Sequence, residues 1–274
     1  MMSENTRTIE GVTDAINQAA VEARSAGEPQ WLQERRMHAW RVYEDTPMPT
    51  TRLEEWRYTD LSEKLALDSF HLGSTEALPD DPSVFPAPLK DAMAQDDEAA
   101  GHLILIDGAV VHTDIREDLT AKGVVLCSLK EAVEKHAELV DKHLATAAVP
   151  PEEGKFQALN AALWSDGVFF YVPRGVHLEH PVRVTRWVSE PGAAFFSRTL
   201  IVAEPTSQVS YVDEILSDDL EAQTLASSAV EVITQDGAQV QYVAVQRMGR
   251  NAFYLSQQRT LAYRDSTLDT LNVN

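Results

Sequence analysis

Residues 208–212 (QVSYV) recur 31 residues later as residues 239–243 (QVQYV), and this repeat is the strongest indication of the fold. The same spacing separates residues 200–202 (LIV) from residues 231–233 (EVI). Leu268 occupies the matching place in a weaker third copy, which follows after 28 residues. The copies are rich in Val, Ile and Tyr, which is typical of β-strands. A near-constant period in β structure indicates stacked coils that bury their inward side chains against each other.

From Asp166 onward the helix signals vanish, and short apolar segments are broken by Gly, Pro and Asp. A β-sandwich built from a row of hairpins is the competing architecture, and a turn as short as Asp236-Gly237 would suit it. The repeat favours the coils. The sequence therefore predicts an α+β protein, with an N-terminal helical region followed by a parallel β-helix.

Residues 8–45 predict two helices. The first presents one apolar face and ends at Gly27, and the second begins near Pro29. The second helix carries an aromatic stripe that includes Trp31, Trp40 and Tyr43. Residues at this spacing share one helix face, so the stripe is expected to pack against neighbouring elements and not to bind a cofactor.

The middle of the chain alternates connectors with short elements. Residues 72–100 are rich in proline and predict a connector with one short helix. The apolar residues on either side of Asp107-Gly108 predict a hairpin. The predicted regions are residues 1–100 (helical region and linker), 101–165 (α/β connecting segment) and 166–274 (the β-helix core).

Ser128 and Glu131 form a capping box for a helix that reaches about Leu144 and is stopped by Pro150-Pro151. A further short helix is predicted over residues 154–164.

Composition restricts the partners. The formal net charge is −20, from 43 acidic and 23 basic residues, which disfavours binding to nucleic acid or to an anionic membrane surface. No apolar stretch approaches the roughly 20 residues of a transmembrane helix. The polar N-terminus lacks the pattern of a signal peptide, so a cytoplasmic location is expected.

The single cysteine, Cys127, excludes a disulfide framework within the chain and is expected to be a small packed residue. The cluster around His177 and His180 is the most metal-like, but side chains three apart on a strand point to opposite faces. The acid pairs are adjacent in sequence, so their side chains diverge on a strand, and they are expected to be solvated. These pairs are Glu54-Glu55, Asp213-Glu214 and Asp218-Asp219.

No nucleophile elbow, phosphate-binding loop or dinucleotide fingerprint is present, which disfavours an ATPase or a dehydrogenase. These motifs therefore assign no catalytic, cofactor-binding or metal-binding residue. Residues 52–61 (RLEEWRYTDL) are dense in aromatic and charged groups. This composition suits either a clamp within the chain or a surface that binds a partner, and the clamp is the preferred interpretation.

Several motifs together carry a resemblance to a known family. Its residues are 49–52 (PTTR), 55–59 (EWRYT), 156–163 (FQALNAAL), 171–176 (YVPRGV), 179–181 (EHP), 198–202 (RTLIV) and 261–265 (LAYRD). In this combination the chain resembles the SufB/SufD family of iron-sulfur cluster assembly scaffolds from about Glu28 to Asn274. The helical N-terminus and the lack of a cysteine cluster resemble SufD more than SufB.

The resemblance implies a scaffold and not an enzyme, with no catalytic or metal-binding residue carried over to this chain. The scaffold would work with a SufB-like subunit, a SufC-like ATPase and a cysteine desulfurase system. An iron-sulfur cluster would form transiently on the assembled complex, and this chain alone would bind no cofactor. Family members continue with more coils and a C-terminal helical region. Because this chain ends inside a β repeat, at residues 268–274, it is expected to be truncated.

Two other classes remain open. A β-helical enzyme acting on acidic polysaccharide would need a basic groove, for which the chain offers only Arg247, Arg250, Arg259 and Arg264. A plain homodimeric adaptor is the third possibility.

Overall fold

The computed structural model describes residues 15–65, 69–74, 81, 83, 85–94 and 98–274. There the chain forms a helical layer packed against a solenoid of two parallel sheets. The helices are α1 (Gln18–Ser25), α2 (Gln30–Asp45), α3 (Leu61–Lys64), α4 (Ala87–Ala94), α5 (Glu117–Thr120), α6 (Leu129–Lys135), α7 (Ala137–His143) and α8 (Lys155–Leu163). The strands are β1 (His71–Leu72), β2 (Gly101–Ile106), β3 (Ala109–Ile115), β4 (Val125–Ser128), β5 (Asp166–Val172), β6 (Val182–Trp187), β7 (Ala193–Ala203), β8 (Gln208–Leu216), β9 (Thr224–Thr234), β10 (Gln239–Arg247), β11 (Ala252–Ala262) and β12 (Thr267–Val273).

The solenoid is built from successive strand pairs, each of which gives one strand to either sheet. The first sheet has the order β11-β9-β7-β5-β4, and β1 pairs with β7 at its side. The second sheet has the order β12-β10-β8-β6-β2-β3. The coil strands pair in parallel, whereas β4 with β5 and β2 with β3 pair antiparallel. The predicted α+β fold with a parallel β-helix is confirmed.

The sequence repeat matches the strand register of the solenoid. Gln208 pairs with Gln239, and Leu200 pairs with Glu231, which are the positions that the 31-residue spacing aligned. Leu268 pairs with Val240, as the weaker third copy predicted. The row of hairpins is therefore wrong. The turn at Asp236-Gly237 joins β9 of one sheet to β10 of the other, so it is a corner of a coil.

The corners after β5, β7, β9 and β11 repeat one backbone conformation. Gly175, Thr206, Gly237 and Asp265 all have a positive φ, between 57° and 69°. The N–H of each of the first three donates to a carbonyl of the next corner, at 2.9–3.0 Å. Glycine adopts this conformation without a Cβ penalty, which explains two of the four residues.

Replacing Thr206 by glycine is expected to stabilise the protein by about 0.5–1 kcal/mol. A β-branched residue is strained at the observed φ of 60°, and relief of that strain exceeds the extra chain entropy of glycine. The midpoint of thermal unfolding should rise by about 1–4 °C. Thr267→Gly, at an exposed strand position without a positive φ, is the control and should lower the midpoint. A lower midpoint for Thr206→Gly would contradict the corner geometry.

The first sheet is buried on both faces along β7 and β9, whose residues are all buried, whereas β11 at its end is partly exposed. Its inner face, which includes Phe170, packs in the solenoid interior against side chains of the second sheet such as Val184 and Tyr211. Its outer face is covered by α2, α8 and the segment before α8, through residues such as Trp40 and Phe156. The second sheet is exposed along β8 and β10, where buried and accessible residues alternate.

The helical region agrees with its prediction from Gln18 onward, whereas residues 15–17 are not helical, because Asn17 caps the N-terminus of α1. Gly27, with a φ of 83°, follows α1, and α2 begins directly after Pro29. Trp40 and Tyr43 are buried with ring centroids 5.0 Å apart, so the aromatic stripe packs as predicted. The predicted start of the first helix, at residues 8–14, lies outside the described residues.

The predicted helix over residues 128–144 is corrected. Ser128 caps it as expected, because its Oγ accepts from the Glu131 N–H at 3.0 Å. The helix is nevertheless broken at His136, whose φ of −129° separates α6 from α7. The break places the His136 ring against Phe169 of β5, with centroids 5.6 Å apart. α7 ends at His143, ahead of the prolines expected to stop it.

The remaining short elements agree with their predictions. The hairpin at Asp107-Gly108 is formed by β2 and β3, α4 lies in the connector, and α8 falls within residues 154–164. The division into three regions stays a prediction. None of the helices in the described part of the chain has the length and apolar composition of a membrane span.

Candidate functional site

Cys127 lies in β4 and is only 6% exposed, so its prediction as a packed residue is confirmed. Burial, followed by the nearby carboxylates of Glu131 and Asp166, raises the pKa of its thiol to about 12. The thiolate is the form that attacks electrophiles and binds metals. Cys127 is therefore a poor nucleophile and a poor ligand in this fold.

Native protein at pH 8 is expected to resist alkylation of Cys127 by iodoacetamide. With a pKa of about 12, roughly one thiol in ten thousand is ionised at that pH. Mass spectrometry should find the native chain unmodified and the chain in guanidinium chloride fully modified. Stoichiometric labelling of the native protein within minutes would show that the thiol is accessible and ionised.

That the cluster around His177 and His180 holds no metal stays a prediction. His177 Nε2 lies 3.0 Å from the Thr206 carbonyl oxygen, and Leu178 between the histidines is buried. In the part of the chain that the structure describes, no three His, Cys, Asp or Glu side chains are arranged to hold a metal ion.

The acid pairs differ from one another. Glu54-Glu55 and Asp218-Asp219 are exposed, as predicted. Asp213 is 0% exposed, so the expectation that the pair Asp213-Glu214 is solvated is wrong. The reason is the strand alternation, which places Asp213 on the same inward face as Val209 and Tyr211.

A network of polar side chains in the solenoid interior surrounds Asp213. Arg186 of β6 donates to Asp213 Oδ1 at 2.7 Å and to the Thr199 hydroxyl at 2.7 Å. The Tyr242 hydroxyl donates to Asp213 Oδ2 at 3.0 Å, and its ring stacks on Tyr211 at 5.5 Å. The network joins three successive coils.

Arg186 and Tyr242 of this network both have a pKa above the ordinary value. Burial lowers the pKa of Arg186, but Asp213 outweighs burial and the pKa lies above its ordinary value. Burial, and then Asp213, raise the pKa of the Tyr242 phenol well above its ordinary value. A charged Arg186 and a neutral Tyr242 therefore persist at neutral pH. A cavity of about 30 Å³ beside Arg186 has room for little more than one water molecule.

A second buried ion pair fastens the helical layer to the first sheet. Arg198 Nη2 lies 2.7 Å from Glu231 Oε1, and both side chains are fully buried. The Glu231 carboxylate also accepts from the N–H groups of Ala145, at 3.0 Å, and Val149, at 3.4 Å. Arg198 Nη1 donates to Asn160 of α8 at 3.3 Å. The pair thus holds the segment between α7 and α8 against the sheet.

The aromatic segment over residues 52–61 borders a groove of about 920 Å³, which also runs along Phe156 and Leu255. Trp56 packs on Phe156 with centroids 5.5 Å apart, so part of the segment acts as the predicted clamp. Tyr58 is 86% exposed and Leu53 is 49% exposed. These two side chains are available to a partner, and that role stays a prediction.

The four arginines considered for polysaccharide binding do not form a basic groove. Each has an acidic neighbour that offsets its charge. The pairs are Arg247 with Glu214 at 3.3 Å, Arg250 with Asp219 at 2.7 Å, Arg259 with Glu153 at 2.7 Å and Arg264 with Asp236 at 3.3 Å. A polyanionic chain would meet a neutralised surface.

Sequence reasoning missed the ion pairs Arg186–Asp213 and Arg198–Glu231. Strand alternation places Arg186 on the inward face of β6 with Val184, but only the fold shows which acid it meets. Closed networks of this kind suit a rigid support, since their charges are already satisfied.

Comparison with known proteins agrees with this picture. The family model "SufBD protein N-terminal region" matches residues 15–184. The model "SUF system FeS cluster assembly, SufBD core domain" matches residues 186–274. The second match begins in β6 and covers most of the solenoid.

Several characterised proteins are similar along most of this chain. The iron-sulfur cluster assembly protein SufD of Bacillus subtilis is 31% identical over 246 residues, 88% of this chain and 54% of the relative. SufB of the same organism is 27% identical over 254 residues, 92% of this chain and 54% of the relative. An iron-sulfur cluster assembly SufBD family protein of Staphylococcus aureus is 27% identical over 249 residues, 90% of this chain and 53% of the relative. The chain spans about half the length of these curated relatives.

Proposed function

Because the chain belongs to the SufBD family, we propose that it is a non-catalytic scaffold subunit for iron-sulfur cluster assembly, most similar in role to SufD. The observation that carries the proposal is that the two family models together cover the helical layer and the solenoid. The cluster is the cargo of this scaffold and not its resident cofactor. A cytoplasmic location is part of the same proposal.

The chemistry of the chain favours a supporting role. Iron-sulfur clusters are usually held by several cysteine thiolates. This chain has one cysteine, which is buried and has a thiol pKa of about 12. Residues 1–274 therefore do not supply such a set of thiolates, and a SufB-like subunit is their proposed source. A SufC-like ATPase and a cysteine desulfurase system complete the proposed assembly.

The solenoid suits the task of aligning a partner's ligands. Parallel pairing of each coil with the next resists bending, and the buried ion pairs fix the coils and the helical layer. A rigid support keeps the reacting groups of a second subunit in register while ATP-driven motion occurs elsewhere. The groove beside Trp56, with exposed Leu53 and Tyr58, is a candidate contact surface for a partner.

Affinity purification of the complete gene product from its own host tests the proposal. SufB-like and SufC-like proteins should copurify, together with iron and acid-labile sulfide. The variant Cys127→Ser should leave the iron and sulfide content of the complex unchanged, because partner thiolates hold the cluster. Purification without either partner would refute the scaffold role, and loss of iron with Cys127→Ser would refute the division of labour.

The two rival classes remain testable. A polysaccharide-acting enzyme is disfavoured because Arg247, Arg250, Arg259 and Arg264 are paired with acids. A cleavage assay on acidic polysaccharide with calcium should show no activity. A homodimeric adaptor would sediment as a dimer in analytical ultracentrifugation, whether or not SufB-like and SufC-like proteins are added.

A further inference from the structure

An aliphatic surface lies on the outer face of the second sheet. Val212 of β8 pairs with Val243 of β10, which pairs with Leu271 of β12, and Val245 pairs with Val273 in the neighbouring row. The intervening residues of β8 and β10 face the interior, so these five side chains point outward. Leu271 is 56% exposed and Val273 is 45% exposed. We refer to these five residues as the aliphatic strip.

The same sheet face is already covered by a helix further along. Leu89 of α4 and Phe85 just before it pack on Trp187 and Leu216. A cleft of about 330 Å³ lies between α4 and β10 and continues the face toward the strip. A sheet with one apolar face normally buries that face against another layer. Over β8, β10 and β12 no such layer is present among the described residues.

The charges around the strip are acidic. Asp91 and Asp218 line the cleft, and Asp269 lies on β12 two residues from Leu271. None of these three has an ion-pair partner among the residues that the structure describes. Arg247, which also lines the cleft, lies against Glu214, as does Arg183. A partner with basic flanks would therefore be attracted, and an acidic one repelled.

We propose that the aliphatic strip and the adjoining cleft form a docking surface for an amphipathic helix of a partner protein. The helix carries an aliphatic face and is flanked by Lys or Arg. Its apolar side chains cover the strip as α4 covers Trp187 and Leu216, and its basic residues meet Asp91, Asp218 and Asp269. A strand is a poorer occupant, because the strip belongs to the face of the sheet and not to its edge. The surface is distinct from the groove beside Trp56.

Two designed peptides of about 18 residues test the surface by fluorescence anisotropy in 150 mM salt. Both carry leucine at helical i, i+3, i+4, i+7 spacing, and they differ only in having lysine or glutamate on the flanks. The lysine peptide should bind the full chain about tenfold more tightly than the glutamate peptide. Leu271→Asp should weaken the lysine peptide about tenfold or more, because it removes apolar contact.

The matched control is Thr267→Asp, on the same strand and the same outward face but outside the strip. It adds the same charge and should not weaken the lysine peptide. Val243→Ser is a second strip variant, and circular dichroism verifies that each variant is folded. Equal affinity for wild type and Leu271→Asp, or no binding of the lysine peptide, would overturn the proposal. Dimerisation that Leu271→Asp abolishes would also overturn it, since a second copy would then be the occupant.

Discussion

Replacing Glu231 by alanine is expected to lower the free energy of unfolding by about 3–5 kcal/mol. The change leaves the fully buried guanidinium of Arg198 without its counter-ion. It also removes the acceptor for the N–H groups of Ala145 and Val149. Urea denaturation followed by circular dichroism measures the change, and hydrogen exchange should show faster exchange over residues 144–149.

The double variant Arg198→Met/Glu231→Leu is the control for this prediction. The apolar pair fills the space without a buried charge. The double variant should therefore lose much less free energy of unfolding than the two single variants lose together. A loss of less than about 1 kcal/mol for Glu231→Ala would be the value of an exposed ion pair. That result would contradict the observed burial of the pair.

Replacing Asp213 by alanine is also expected to lower the free energy of unfolding by about 3–5 kcal/mol. Asp213 lies in the solenoid interior, whereas Glu231 lies on the outer face of the first sheet. Arg186 would remain in the solenoid interior without a carboxylate, and the Tyr242 hydroxyl would lose its acceptor. Thermal and urea unfolding should both report the loss. Asp218→Ala is the control, because it removes an exposed acid close to Asp213 in the sequence. It should change the free energy of unfolding by no more than about 0.5 kcal/mol.

Tyr242→Phe separates the two contributions to the Asp213 network. The change removes one hydroxyl donor and leaves the ion pair of Asp213 with Arg186 intact. It should therefore lower the free energy of unfolding by only about 1 kcal/mol. A similar cost for Tyr242→Phe and Asp213→Ala would show that the ion pair contributes little and that the interior is more hydrated than the structure indicates.

The register of the solenoid could be predicted from the sequence because stacked coils place equivalent residues in equivalent surroundings. Tyr211 and Tyr242 illustrate the point, since they stack in the interior and lie at matching places in the two copies. The same logic applies to the corners, where Gly175 and Gly237 recur at positive φ. A periodic fold therefore shows its contacts in its sequence spacing.

The buried charges could not be predicted in the same way. Asp213 is one of two adjacent acids, and adjacency on a strand indicates divergence and solvation. Its partner, Arg186, lies on the neighbouring strand, which only the fold brings close. Glu231 faces out from the first sheet and is buried because the segment between α7 and α8 covers it. The break at His136 likewise depends on a tertiary contact, with Phe169.

Part of the candidate site could be predicted from single residues. Cys127 was expected to be a packed residue, and its burial and the raised pKa of its thiol agree with that. The aromatic segment was identified from composition, but the groove beside it was not, because its other walls come from β11 and the segment before α8, which lie far apart in sequence. The aliphatic strip depends on strand register and was not anticipated.

Disulfide formation between stacked coils tests the central claim, that the chain is a parallel solenoid suited to hold another subunit in register. The pairs are Ser210→Cys with Gln241→Cys, and Gln208→Cys with Gln239→Cys, each in a Cys127→Ser background. Paired residues on adjacent strands lie about 5 Å apart, within the range of a disulfide. Ser210→Cys with Asp269→Cys, two strands apart, is the control and should not form a bond.

Oxidation followed by non-reducing electrophoresis and mass spectrometry should give a disulfide for both pairs, because a parallel register keeps the residue difference constant. In an antiparallel hairpin the sum of the paired residue numbers is constant instead, so only one of the two pairs could close. Closure of one pair alone, or of neither, would contradict the solenoid and the scaffold role built on it.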